Sequence, residues 1–141
     1  MKAPLAGAVA AVAWGLAEPI DQRVFRCDYS DVAVLGKAVT RRHWRSAGFA
    51  LHAANGAAFG ALYAALSRRT ALPPRRLALG LALAEHVGLY PLSGLVDRYH
   101  PARGEPGIPP LLTNGRAFAQ ATVRHACFGA LVGRLADQPI P

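Results

Sequence analysis

The sequence predicts an all-α fold, a four-helix transmembrane bundle with a short interfacial helix in its first loop. Its four apolar runs each approach the length of about 20 residues that a membrane helix needs. Connections rich in arginine and proline separate them. Amphipathic aromatic residues tend to sit at membrane interfaces, and Trp44 and Tyr63 lie towards the two ends of the second run. We expect helices near residues 3–20, 46–67, 77–95 and 117–135.

The first run, from Ala3 to Ile20, follows Lys2. Because proline disrupts a helix, Pro19 is expected to end it and to leave Glu18 near a membrane edge. The run also has features of a signal peptide, with small residues around Ala17 as a cleavage site. An uncleaved first helix is the simpler interpretation, because the later runs look membrane-spanning as well.

The connection that follows contains a candidate short helix. Ser30 is a suitable N-cap for it, and Val32, Leu35 and Val39 would share one face. Such a segment is typical of a helix lying in the membrane interface. An ordinary structured loop is the alternative.

The second run, residues 46–67, has no Asp, Glu, Lys or Arg. As a helix it would extend about 33 Å, enough to cross the hydrocarbon core. Small residues let helix backbones approach closely, so a small-residue stripe should face other helices. That stripe recurs every four residues and consists of Gly48, His52, Gly56 and Gly60.

The third run, residues 77–95, should be kinked. Pro91 lacks an N–H, so the carbonyl of Val87 loses its helical partner. A second small-residue stripe is predicted on this run at Gly80, Ala84 and Gly88.

The fourth run, residues 117–135, is the least apolar and carries Gln120, Arg124 and His125. The pattern H-A-x-x-G-A-x-x-G begins at His52 and again at His125, which indicates an internal duplication. We therefore expect one membrane domain, residues 1–141, possibly made of two duplicated helical hairpins with halves 1–70 and 71–141. Chance matching between Ala- and Gly-rich helices is the alternative.

The net charge of +8 arises from 16 Lys and Arg against 8 Asp and Glu, and the basic residues cluster at the ends of apolar runs. This distribution favours anionic lipid head groups as partners rather than nucleic acid, for which no motif is present. Basic residues occur on both sets of loops, so they do not fix the membrane orientation. The sequence lacks a phosphate-binding loop, an H-E-x-x-H motif and a nucleophile with a visible base, which predicts no enzyme and no metal site.

Polar residues within apolar runs are the candidate functional residues. An unpaired ionisable group is costly in a membrane, so each should face the bundle interior beside a partner. We expect Glu85 and Arg124 to face the bundle interior and to lie within reach of a salt bridge or of one bridging water molecule. The residues serve either helix packing or a proton or small-ion path. The full set is Glu18, His52, Asn55, Glu85, His86, Arg124 and His125.

Two other functions stay open. A haem-binding bundle would use His52 and His125, which occupy equivalent places in the suspected repeat. Otherwise we predict no cofactor. The chain could also be a structural or assembly subunit of a membrane complex, or form a homo-oligomer.

Several segments resemble the YagU-like family of multi-pass bacterial inner-membrane proteins. Ala6-Gly7 and Trp14 to Pro19, followed by Arg23, are similar to the first helix of that family. Residues further along the chain are similar to the middle and last helices of the family. They are His52, Phe59, Tyr63, Gly80, His86, Pro91-Leu92, Gly94-Leu95, His125 and Cys127-Phe128. The resemblance implies a multi-pass protein of the inner membrane and implies no reaction.

Overall fold

The computed structural model describes residues 1–136, and within this range it contains helices and no strand. The prediction of an all-α fold is confirmed. The helices are α1 Ala3–Phe25, α2 Asp31–Val39, α3 Trp44–Ser67, α4 Pro74–Leu89, α5 Ser93–Tyr99 and α6 Gly115–Leu135.

Three segments are long and apolar enough to cross a membrane: Ala3–Phe25, Trp44–Ser67 and Pro74–Tyr99. These candidate spans give the chain the character of a membrane protein. The fourth predicted helix forms as α6, but it is not among the apolar spans found within residues 1–136. Arg116, Arg124 and Arg134 make it too polar, so a bundle of four transmembrane helices is not established.

The helices pack as two pairs, α1 along α3 and α4 along α6, and contacts between α1 and α6 join the pairs. Glycines on α3 allow the first pair to approach closely. A Cβ at Gly56 would collide with the carbonyl of Gly7, and one at Gly60 with the carbonyl of Ala3. The predicted small-residue stripe on the second run therefore does face a neighbouring helix.

The stripe predicted on the third run is wrong. Gly80 and Gly88 have open space around them, and α4 instead buries Ala78, Ala82 and His86. In the α4–α6 pair the closely packed glycines lie on α6, where Gly129 and Gly133 contact α4 near Ala78. Two helices can still approach closely when one of them has alanine at the contact, provided that the other has glycine there.

Helix α1 does not end at Pro19 but continues to Phe25. Proline removes only one backbone donor. Its ring crowds the residue four positions earlier, and that residue is Gly15, which has no side chain. The helix ends at Arg26, which has a left-handed φ of 49°, and the N–H of Cys27 donates to the carbonyl of Gln22 at 3.2 Å. The extra turn carries Asp21 into the interior.

The short helix predicted in the first loop is present as α2, and its Ser30 cap is confirmed because the hydroxyl accepts the N–H of Ala33 at 2.9 Å. Its buried face is Val32, Ala33 and Gly36, whereas Val39 is exposed. The predicted apolar face was therefore misplaced, because α2 packs on α3. Its position at a membrane interface stays a prediction.

The break predicted at Pro91 is confirmed. Helix α4 ends at Leu89, a 3-10 turn covers Tyr90–Leu92, and α5 begins at Ser93. The loop after α5 folds back onto α2, where Ala33, Ala102 and Ile108 form a small core.

Candidate functional site

Arg124 lies at the centre of a buried ionic network, with 2% of its side chain exposed. Its Nε and Nη2 donate to the two carboxylate oxygens of Asp21 at 2.5 and 2.8 Å, a bidentate pair. Nη1 donates to Asp31 at 2.8 Å and approaches Glu18 at 3.5 Å. Nη2 also reaches the carbonyl of Tyr29 at 2.8 Å. One α6 side chain thus connects α1, α2 and the turn between them.

The part of this network outside the candidate spans is electrostatically well matched. Burial by itself raises the pKa of Asp31, but the charge of Arg124 and hydrogen bonds from Arg124 and Tyr29 bring the pKa below its ordinary value. Burial and the neighbouring Asp31 carboxylate raise the pKa of Tyr29, whose hydroxyl donates to Asp31. The Tyr29 ring also lies beneath the guanidinium of Arg124, 4.9 Å from its centre.

Two further polar side chains complete the network. Ser30 donates to Glu18 at 2.5 Å, and the backbone N–H of Val32 donates to the same carboxylate at 3.2 Å. The Nε2 of Gln120 donates to Asp21 at 2.7 Å. Buried charge is tolerated here because each charged group has several partners.

The direct ion pair expected between Glu85 and Arg124 does not form within residues 1–136. Both residues border the same cavity, and contact through one water molecule stays a prediction. Arg124 pairs instead with the carboxylates of Asp21, Asp31 and Glu18. Glu85 is half-buried on α4 and has no basic partner within ion-pair distance in the same range.

Sequence reasoning missed Asp21, Tyr29 and Asp31, because it placed them in a polar connection after a helix that was expected to end at Pro19. One signal was available. Glu18 and Asp21 are three residues apart, so on a continued helix their carboxylates would share a face.

A cavity of about 170 Å³ lies beside the network, between α1, α2, α3, α4 and α6. It is bordered by ionisable side chains from separate helices together with the aromatic rings of Trp14, Phe59 and Phe128. The ionisable residues are Asp31, His52, Glu85, Arg124 and His125. We call this space the His52 cavity.

Two buried polar atoms at the His52 cavity lack partners in the described part of the chain. Within residues 1–136, the buried Nε2 of His52 and Nε1 of Trp14 make no hydrogen bond. Asn55 borders the same cavity and is exposed. Buried donors and acceptors are normally satisfied, so unpaired groups around a cavity indicate water or a small ligand there.

His125 and His86 stack with ring centres 4.8 Å apart. The Nδ1 of His125 contacts the carbonyl of Ala121 at 2.8 Å. A carbonyl only accepts, so Nδ1 of His125 carries a proton and donates it to this hydrogen bond. His86 is buried and its Nε2 lies 2.9 Å from the hydroxyl of Thr122. The rings of His125 and His86 thus continue the row of polar side chains from the His52 cavity along the contact between α4 and α6.

The geometry gives little support to a cofactor site. Within residues 1–136, no group of three or more His, Cys, Asp and Glu side chains is arranged to hold a metal ion. Haem needs more room than this cavity offers, since sites for cofactor-sized ligands are usually about 300–1,000 Å³. Of the predicted residues, the structure places Glu18 and Arg124 in the network, and His52, Asn55, Glu85 and His125 around the cavity.

Comparison with known proteins gives no relative: no family model, curated protein or solved structure matches this chain.

Proposed function

We propose that this chain is a multi-pass membrane protein in which the His52 cavity carries protons or a small cation, while the Arg124 network holds the helices in place. The observation that carries the proposal is the Nε2 of His52, which has no hydrogen-bond partner within residues 1–136 and borders a cavity shared with Glu85 and His125. In this proposal the polar residues around the cavity handle ions, and those of the Arg124 network stabilise the packing of the helices.

The side chains around the cavity suit proton transfer. Histidine changes its charge near neutral pH, and carboxylates and histidines within membrane segments commonly form proton relays. His52, Glu85 and His125 come from three different helices, so small movements of the helices would change their separations. The volume of the cavity leaves room for several water molecules, which could connect them.

The Arg124 network suits a static role. Its guanidinium has carboxylate or carbonyl partners at Nε, Nη1 and Nη2. Moving a proton onto Asp21 or Asp31 would remove a partner from a buried cation, which is costly. This supports assigning packing to the network and ion handling to the cavity.

The resemblance to YagU-like proteins supports a location in the bacterial inner membrane, and we include that location in the proposal. Assembly with a second copy or with a membrane complex is compatible with the proposed role.

The test is proton flux into vesicles containing the purified protein and an internal pH-sensitive dye, under an imposed potential. We expect wild-type vesicles to acidify faster than lipid-only vesicles. His52→Gln and Glu85→Gln should each bring the rate down to the lipid-only level. His43→Gln is the matched control, since His43 is exposed at the start of α3.

Wild-type vesicles that acidify no faster than lipid alone would refute proton transfer. The same assay with sodium or potassium indicators would then test the small-cation form of the proposal. Equal rates in wild type, His52→Gln and Glu85→Gln would remove the cavity from the path.

A further inference from the structure

A second polar region lies at the end of α1, away from the His52 cavity. An open basin of about 1180 Å³ is formed there by the last turns of α1, the loop at residues 109–114 and the start of α6. Three arginines border it: Arg23, Arg26 and Arg116. We call it the arginine basin.

The basin has excess positive charge. All three arginines are exposed, and none forms an ion pair within residues 1–136. Among the residues that the structure describes, Asp28 is the single carboxylate on its lining, and that group accepts the N–H of Gly107 at 2.9 Å. Guanidinium groups recognise phosphate by paired hydrogen bonds, so this arrangement suits a phosphate-bearing ligand.

The backbone fixes the positions of two of these arginines. Arg23 lies in the last turn of α1, and Arg26 occupies the left-handed residue that ends that helix. Helix α1 is held at this end by the Asp21–Arg124 pair. The basin is therefore built on a restrained helix end rather than on a free loop.

An apolar face of α1 leads to the basin. Leu16, Ile20 and Val24 recur every four residues and are 68%, 66% and 72% exposed. Arg23 follows Leu16 by seven residues, about two helical turns, and so lies on nearly the same face. Because α1 is a candidate membrane span, this face is where acyl chains would lie when a head group occupies the basin.

We propose that the arginine basin binds the phosphate head group of an anionic phospholipid, whose acyl chains lie along Leu16, Ile20 and Val24. A free phosphate would use the arginines alone and would gain nothing from the apolar face. The site is independent of ion transfer through the His52 cavity.

The experiment is native mass spectrometry of the full chain in a mild detergent, titrated with phosphatidylglycerol or with phosphatidylcholine. The variant carries Arg23→Gln, Arg26→Gln and Arg116→Gln. The control carries Arg68→Gln, Arg69→Gln and Arg76→Gln, exposed arginines in the loop between α3 and α4 and at the start of α4, which lose the same charge.

We expect wild type and control to retain phosphatidylglycerol in preference to phosphatidylcholine. The basin variant should bind phosphatidylglycerol about 100-fold more weakly, since each arginine near an anionic surface contributes about fivefold. Millimolar inorganic phosphate should leave the bound lipid in place.

Equal weakening in both triple variants would show general charge attraction and overturn the proposal. So would unchanged binding in the basin variant. Displacement of the lipid by inorganic phosphate would identify a free-anion site instead. If the basin variant has a lower melting temperature than wild type, the single changes Arg23→Gln and Arg116→Gln are tested instead. Each should bind phosphatidylglycerol about fivefold more weakly.

Discussion

Two polar regions meet at Arg124, and they differ in how completely their groups are bonded. In the network, Arg124 has carboxylate and carbonyl partners on three sides, and Glu18 and Asp21 are each bonded by more than one donor. Across the guanidinium, His52 leaves a buried nitrogen unpaired within residues 1–136. The charged groups of the network are all bonded, although the Oε1 of Gln120 makes no hydrogen bond within residues 1–136. Paired charges resist a change in protonation, whereas an unpaired ionisable group accepts water or ions. This contrast indicates which of the predicted polar residues hold the structure and which are available for function.

Replacing the central cation should have the largest effect. Arg124→Leu leaves Asp21, Asp31 and Glu18 buried without their counter-ion and should lower the free energy of unfolding by about 3–5 kcal/mol. Denaturation in detergent, followed by circular dichroism, measures it. Arg134→Leu on the exposed side of α6 is the control, with an expected change within about 0.5 kcal/mol. Similar losses in both variants would contradict the central role of the network.

A matched pair of amide substitutions compares the two regions directly. Asp21→Asn keeps the shape but removes the negative charge and one of the two acceptors of Arg124, and we expect a loss of about 1–3 kcal/mol. Glu85→Gln breaks no ion pair within residues 1–136, so its effect on the free energy of unfolding should stay within about 0.5 kcal/mol. The same denaturation assay applies to both. A larger loss in Glu85→Gln than in Asp21→Asn would reverse the assignment of roles.

The network should also make stability sensitive to acid. The pKa of Asp31 is lower in the folded protein than in the unfolded chain, despite burial, because of Arg124. The unfolded chain therefore takes up the proton more readily. The stabilisation is present above the unfolded pKa of about 3.9 and is lost as pH falls through the folded pKa.

Thermal melts in detergent from neutral pH into the acid range measure this dependence. Asp31→Asn should be less stable at neutral pH and should lose stability less steeply on acidification than wild type. Parallel pH curves for the two proteins would show that Asp31 does not contribute.

At the cavity we expect a small effect of the opposite sign. His52→Phe removes a buried nitrogen that has no partner in the described part of the chain and keeps a ring of similar size. Because an unpaired polar group carries a desolvation cost, the change should be neutral or stabilising by about 1 kcal/mol. A thermal melt decides the sign. A loss comparable to that of Asp21→Asn would place His52 in the structural network instead.

The sequence alone was sufficient for the all-α fold and for the membrane character of three segments. Uncharged apolar runs, the Ser30 cap, the break at Pro91 and the glycine stripe on α3 all depend on local chemistry, and the structure has each of them. It also predicted partners for the charged groups inside such runs. Glu18 and Arg124 have them, whereas Glu85 forms no ion pair within residues 1–136.

Only the tertiary structure decided which partners they have. Helix α1 continues past Pro19, and its Asp21 forms a bidentate pair with Arg124, a residue 103 positions away in the chain. That long-range pair takes the arginine that the sequence had predicted as the partner of Glu85. Spacing along one helix gives the face on which a charge lies, whereas the choice among competing carboxylates depends on which helices pack together.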